Sequence, residues 1–427
     1  MFQNNRYNLT AILLWLTYFC HGIQAILISQ NAAFFAQKWG VEAAAVFGVI
    51  AWTGLGKIAF LTFSGSLSDK IGRKPVIVLG LLGYVIMFGM LLVASNIWLA
   101  NGLAFIGGAM TSFYDGAVNP ALFEMYPNNK ATASIMSKTF ISIASMLYPL
   151  FVAYVMSHHL APELSILVPF VLSALVLLGV LFSRFPDNDL RKEKRVSPRQ
   201  AIKLLEDKQS TAVTEAAMPR KHTPNFAIDG GILSAFALTI YSTFYLFQQA
   251  SKLYAQNVIH MSETGASAVT SYYQLGGLVA TLVFAILMAR GIRDIALLVI
   301  SPIFAGLAGL LVYFVPTAQT LILAGIVIGF FAAGGLLQMG NAVLNQFFDK
   351  HKGRNTSFYY LIMSLGAYIV PVLAAKLVAH NRAADIMLFV ALCGFASAGL
   401  MLLAGQRYRY IFGLPVFSNA KKNPKHR

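Results

Sequence analysis

Long apolar runs separated by short polar breaks dominate the 427 residues of this chain. A helix needs about 20 apolar residues to cross the hydrocarbon core of a bilayer. Runs of that order can be placed twelve times: 9–34, 44–64, 76–95, 98–125, 132–157, 164–184, 228–256, 264–289, 295–315, 318–346, 355–379 and 384–406. The rhythm predicts twelve transmembrane helices. It fails once, where Arg191-Lys192-Glu193-Lys194-Arg195 and Pro198, Pro219 and Pro224 intervene. The chain thus divides into a six-span half (1–184), a linker (185–227), a second six-span half (228–406) and a basic tail (407–427). The stretch from Pro198 to Asp207 has two readings, an amphipathic surface helix with Ile202, Leu204 and Leu205 toward lipid, or a solvated tether.

The halves keep traces of one pattern. At an offset of 222, Ile106-Gly107 falls on Ile328-Gly329, Asn119 on Asn341, Lys130 on Lys352, Ser142 on Ser364 and Pro149 on Pro371; at 220, Leu55-Gly56 falls on Leu275-Gly276. The matches place the fourth and fifth spans over the tenth and eleventh, as in a parallel six-plus-six repeat.

Composition agrees with the pattern, for 57% of residues are apolar and only 11% charged, against roughly 25% in soluble domains. The net charge of +16 would suit nucleic acid were it not so unevenly placed. With a cytoplasmic N-terminus, 26 of the 32 Lys and Arg fall in cytoplasmic segments, so the charge reports topology through the positive-inside rule, and no nucleic-acid partner is implied. Contact with anionic lipid headgroups would add to the bias. The first run contains His21, Gln24 and Asn31 and lacks a small-residue cleavage pattern, which reads as a retained span. Cys20 and Cys393 both fall within spans and imply neither a disulfide nor a metal site.

Polar side chains within spans are costly and tend to face protein or a water-filled cavity. Here they fall in stripes at helical spacing. The first run carries His21, Gln24 and Asn31, the fourth Thr111, Asp115 and Asn119, the seventh Tyr241, Tyr245, Gln248 and Lys252, and the tenth Gln338, Asn341 and Asn345. Each stripe lies on one face, either as part of a solute site or as glue between helices. Asp115 alone among the sixteen acids lies deep in a span, since Glu124 and Asp229 sit near span ends. A low-dielectric cavity disfavours a charged carboxylate, so Asp115 is the candidate for proton coupling. His21 is either its partner, because imidazole titrates near neutrality, or a residue satisfied by one backbone carbonyl. Lys57, midway along the second run, either neutralises Asp115 or binds substrate. Lys252 lies near the outer end of its run, and Lys138 and Lys376 are expected to snorkel to the inner and outer surfaces.

Between the second and third runs stands Gly65-Ser66-Leu67-Ser68-Asp69-Lys70-Ile71-Gly72-Arg73-Lys74-Pro75. Its glycines suit a tight helix reversal, and Asp69 and Arg73, four apart, can pair or exchange partners. This segment resembles the signature loop of the major facilitator superfamily of membrane solute transporters. The resemblance implies an all-α membrane protein of twelve transmembrane helices in two pseudo-symmetric six-helix bundles. It further implies a solute site near the midplane lined by spans one, four, seven and ten, where the four stripes occur. Gly65, Asp69, Gly72, Arg73 and Lys74 would form a conformational latch, Asp69 docking on the N-terminus of the eleventh span near Asn355-Thr356-Ser357 to close the cytoplasmic side.

Tyr18-Phe19-Cys20-His21-Gly22, the loop from Ser68 to Pro75 and the stretch from Asp115 to Pro127 resemble a group of bacterial inner-membrane facilitators for small metabolites. Drug-exporting members carry an arginine early in the fourth span, and Asn101-Gly102-Leu103-Ala104 holds none. The expectation is therefore a monomeric, multi-pass carrier in the bacterial inner membrane with both termini cytoplasmic. It would move a small polar organic solute, with a hydroxylated carboxylic acid as one class, by proton symport; export of drugs or hydrophobic metabolites is the alternative. No Gly-x-x-x-x-Gly-Lys-Ser/Thr loop is present and no cofactor is implied. A His-x-x-x-x-Asp spacing at His380 and Asp385 matches acyl-transfer chemistry, but it falls in a very short loop with no domain around it.

Overall fold

Each apolar run becomes a helix because a backbone surrounded by lipid must satisfy its own N–H and C=O groups. The computed structural model describes residues 5–210, 220–348 and 352–417, so parts of the predicted linker and tail, 211–219 and 418–427, lie outside the described residues. The spans are α1 (Asn8–Gln30), α2 (Ala43–Ile71), α3 (Arg73–Val93), α4 (Ile97–Met125), α5 (Lys130–Ser157), α6 (Leu164–Phe182), α7 (Gly231–Asn257), α8 (Glu263–Ala289), α9 (Asp294–Phe314), α10 (Ala318–Phe347), α11 (Lys352–Ala379) and α12 (Asp385–Phe412). Among the described residues no strand occurs. Eleven of these helices are long and apolar enough to cross a membrane. The twelfth is α4, equally long at 29 residues but diluted by Asn101, Thr111, Ser112, Asp115 and Asn119, and packed against α2 and α3.

Two compact units, Met1–Glu215 and Ala216–Arg427, hold six of these helices each. Within the first, α2 packs on α4, α3 on α4 and α6, and α1 on α5 and α6. Within the second, α8 packs on α10, α9 on α10 and α12, and α7 on α11 and α12. Every pairing recurs six helices later. The repeat in the sequence thus has a physical counterpart, for the matched prolines Pro149 and Pro371 lie inside α5 and α11 and the matched Gly56 and Gly276 sit at equivalent crossings, whereas the counterpart of Gly329 at its crossing is Gly108 and not the matched Gly107, which faces Met87 and Gln24.

A β-carbon on Gly56 would collide with Phe105 O and reach Ala109 N at 2.9 Å, and one on Gly108 would collide with Thr53 O and reach Lys57 N at 2.9 Å. In the second unit, β-carbons on Gly276 and Gly329 would collide with Ile326 O and Tyr273 O. Without a hydrophobic drive in lipid, such small-residue contacts are what bring membrane helices together. Gly108→Val is therefore expected to force α2 and α4 apart, at a cost of about 1–3 kcal/mol or more. Thermal unfolding of the detergent-solubilised variant checks this, and an unchanged midpoint would refute it.

The structure departs from the sequence expectation in four places. The tenth span is not continuous: Ala318–Ile328 widens into a π turn at Gly329–Ala333, and Leu336–Phe347 restarts after Gly335, which adopts φ +108°. Only glycine tolerates that backbone without strain. Gly65 is not a turn residue but lies inside α2, against Gly116 of α4; Gly72, at φ +102°, makes the whole reversal. The linker forms two helices, Pro186–Lys194 and Pro198–Ser210, and the second buries Ala201 and Ile202 within the first unit instead of pointing Ile202 at lipid. Finally, α12 runs to Phe412, past the expected end at 406, and stops at left-handed Gly413.

Candidate transport site

The close glycine crossing of α2 and α4 places Lys57 opposite Asp115, Nζ to Oδ2 3.2 Å. Ser112 Oγ donates to the Lys57 carbonyl at 2.8 Å and fixes the register of the two helices. The pair lies far from either helix end, yet the Asp115 side chain remains 39% exposed and that of Lys57 21%. An ion pair in a span is tolerable when its charges compensate each other and keep access to water or a polar cavity.

A second cluster in the same unit joins α1, α3 and α4. Tyr84 Oη lies 2.9 Å from His21 Nδ1 and 2.9 Å from Thr111 Oγ1, with Gln24 Oε1 at 3.5 Å. Thr111 Oγ1 donates to the Gly107 carbonyl one turn back, at 3.1 Å. The Tyr84 hydroxyl thus stands between the His21 ring and the Thr111 hydroxyl, and either hydroxyl of the Tyr84–Thr111 pair can be the donor. Tyr84 itself is fully buried and set edge-on to Tyr114, centroids 4.8 Å apart.

The remaining predicted residues of this unit lie apart from these clusters. Asn31 separates α1 from the short helix Ala32–Trp39 and is buried there. Its Nδ2 donates to Leu27 O and Tyr148 Oη at 2.9 and 2.8 Å, and its Oδ1 accepts from Ser165 Oγ at 2.7 Å, which ties α1 to α5 and α6. Asn119, one turn beyond Asp115, has a buried Oδ1 with no donor among the described residues.

In the second unit the Tyr241 and Tyr245 rings stack on α7 at 4.8 Å, and Gln248 is half-buried further along the same face. Lys252, only 6% exposed in its side chain, pairs with Glu263 of α8 at 2.5 Å, and Gln256 Nε2 donates to the other carboxylate oxygen. Gln338 is exposed on the restarted half of α10. Asn341 and Asn345 gather on Thr356 of α11: Asn345 Nδ2 donates to Thr356 Oγ1 and Thr356 Oγ1 to Asn341 Oδ1, each at 3.0 Å.

Around Gly72 the structure builds a charge cluster. Arg73 donates through Nε to Glu124 Oε1 at 2.8 Å, and through Nη1 to Ser68 Oγ at 3.0 Å and Asp69 Oδ1 at 2.6 Å. Its own backbone N–H, at the start of α3, donates to Asp187 Oδ2 of the linker helix at 3.0 Å. The Arg73 and Glu124 side chains are each 3% exposed, whereas Asp69 is 53% exposed. Lys74 Nζ donates to the Leu181 and Ser183 carbonyls and so caps the end of α6, where positive charge suits the helix dipole. Tyr84, Glu124 and Asp187 were not among the sequence candidates for these roles. Tyr84 stands alone in an apolar run, and the partners of Glu124 and Asp187 are 51 and 114 residues distant.

The chain resembles known proteins in sequence and in fold. The Major Facilitator Superfamily model matches residues 14–262 and 230–411. The inner membrane transport protein YdiN of Escherichia coli K12 is 30% identical over 88% of this chain and 86% of its own length. YdiM of the same organism, also an inner membrane transport protein, is 31% identical over 95% and 96%. Among solved structures, a peptide transporter POT in complex with alafosfalin superposes with a TM-score of 0.71 at 14% identity, over 95% of this chain and 94% of that one. At that identity the likeness speaks to the fold alone. The chain belongs to the major facilitator superfamily and is a transporter, not an enzyme.

Proposed function

We propose that this protein is a secondary active transporter that moves a small polar organic solute, with hydroxylated carboxylic acids as the leading class, across the bacterial plasma membrane by proton symport and alternating access. The observation that carries the reading is the Lys57–Asp115 pair: a carboxylate deep in a span, partly open, and held by a lysine 3.2 Å away that can release it. Protonation of Asp115 would weaken that pair, and the His21 imidazole would be a second proton carrier in the same unit. Both termini would face the cytoplasm, the orientation that the uneven placement of Lys and Arg favours.

In the latch reading, Asp69 keeps enough exposure beyond its bond to Arg73 to dock on the first turn of α11 when the cytoplasmic side closes. Partial positive charge at a helix N-terminus would favour the contact. The testing experiment is uptake into proteoliposomes of labelled glycerate, lactate and gluconate under an inward proton gradient, with a pH dye inside. Symport predicts concentrative uptake, internal acidification and loss of both with a protonophore. Gradient-independent equilibration would remove the coupling, and outward-only flux of hydrophobic compounds would favour an exporter.

A further inference from the structure

The first linker helix, Pro186–Lys194, sorts its charges by flank. Pro186, Asp187 and Leu190 are buried against the first unit, where Asp187 accepts from the Arg73 backbone N–H. At 100° per residue, Asp189 and Glu193 fall to one side of that buried face, and Asn188, Arg191 and Lys192 to the other. Asp189 is taken up within the unit: its Oδ2 accepts from Tyr7 Oη at 3.1 Å and lies 3.4 Å from Arg6 Nη2. Among the described residues, Arg191, Lys192 and Arg195 form no ion pair.

These three cations share a cleft. Arg195 ends the helix in left-handed backbone, φ +53°, and an open cleft of about 530 Å³ is lined by Asn188, Arg191, Lys192, Arg195 and Val196. No carboxylate lines it. The cleft also lies beside the membrane surface. α6 presents Leu175, Leu178 and Phe182 on one exposed face, Phe182 to 88%, so its apolar surface continues to the last residue. The linker helix starts four residues later, at most about 14 Å away, and headgroups begin where the apolar surface ends. Lys74 Nζ, bonded to the Leu181 and Ser183 carbonyls at the end of α6, is close enough to Lys192 for the two ammonium groups to repel.

Three cations without a carboxylate suit an anion, and the arginine fork matches phosphate oxygens. A soluble anion would gain the charges alone, whereas a phospholipid gains them while its acyl chains stay beside α6. We propose that the cleft binds the headgroup of an anionic phospholipid, with Arg191, Lys192 and Arg195 holding its phosphodiester and the Asn188 amide donating to the same group. Membrane topology needs only positive charge on this side of the bilayer. A cleft adds a fixed place and a stoichiometry of one lipid.

The test is native mass spectrometry of the full-length protein in detergent, titrated with phosphatidylglycerol. Phosphatidylcholine is the zwitterionic control and sn-glycerol 3-phosphate the soluble competitor. The double variant Arg191→Gln with Arg195→Gln is compared with Arg199→Gln with Lys203→Gln, which removes two exposed cations from the second linker helix and leaves the cleft intact. One phosphatidylglycerol is expected to bind ahead of phosphatidylcholine. The cleft variant should weaken that binding about tenfold or more, and the control variant far less. Phosphatidylcholine bound as tightly as phosphatidylglycerol, equal weakening by the two double variants, or displacement of the lipid by an equal concentration of sn-glycerol 3-phosphate would overturn the assignment, the last in favour of a soluble phosphate. The lipid and competitor comparisons use the parent protein, so they decide the matter even if a variant fails to fold.

Discussion

Arg73→Ala is expected to lower the thermal stability of the first unit sharply, by about 3–5 kcal/mol, because it takes the arginine away from the buried Glu124 carboxylate, and Glu124→Gln to lower it by less, because Asp69 Oδ1 still accepts from Arg73 at 2.6 Å. Arg73 and Glu124 are both 3% exposed and meet at 2.8 Å, so water cannot take over the lost bond. Asp69 differs: it is 53% exposed, and Asp69→Asn should cost about 1 kcal/mol or less. The double variant Arg73→Met with Glu124→Leu separates a charge effect from a packing effect. Replacing both charges with apolar groups of similar size removes the desolvation penalty, so the double variant should recover most of what either single variant loses. The Asp187 bond to the Arg73 backbone survives all of these changes, since it uses no Arg73 side-chain atom. Thermal unfolding in detergent reads the series. Single variants as stable as the parent, or a double variant no better than either single, would contradict a buried ion pair as the cause.

How much of this architecture could be read from the chain depended on the range of the interactions involved. Helices were legible because their signal is local: runs of apolar residues of spanning length, and Gly72 between α2 and α3. The six-plus-six repeat was legible through Pro149 and Pro371 and through Gly56 and Gly276, whose steric role leaves the same residue type at the same place, while the Gly107 match to Gly329 was one residue out of register, since Gly108 holds the equivalent crossing. Asp115 and Lys57 could be picked out as interior charges, and their spacing along two neighbouring spans allowed the pair that the structure places at 3.2 Å. Tyr84 could not, because a single phenol in an apolar run looks like core until His21 and Thr111 are known to converge on it. The break in α10 had a local signal, Gly334-Gly335, but hydropathy alone reads through it. The stripe on α10 shows the limit of periodicity. Gln338, Asn341 and Asn345 share a face by spacing, yet Asn341 and Asn345 are spent on Thr356 while Gln338 is exposed. Spacing assigns a face and leaves the partner open.

Asp115→Asn is expected to abolish concentrative uptake while leaving exchange of solute across the membrane measurable. A proton gradient of one pH unit is worth about 1.36 kcal/mol, so one-to-one electroneutral symport supports at most about tenfold accumulation. The asparagine keeps the shape of the side chain but cannot cycle a proton, so accumulation should fall to about onefold, while counterflow between preloaded and external solute continues. The substitution also strands Lys57, whose side chain is only 21% exposed, and that loss of charge balance could by itself impair folding. The double variant Asp115→Asn with Lys57→Met removes the stranded charge. It should restore the thermal midpoint without restoring accumulation, because stability depends on the balance of charge and coupling on the titrating carboxylate. If the double variant regains gradient-driven accumulation, Asp115 is a structural counter-ion and the proton travels elsewhere, with His21 as the next group to substitute. If Asp115→Asn alone accumulates solute as the parent does, neither the pair nor its release takes part in coupling.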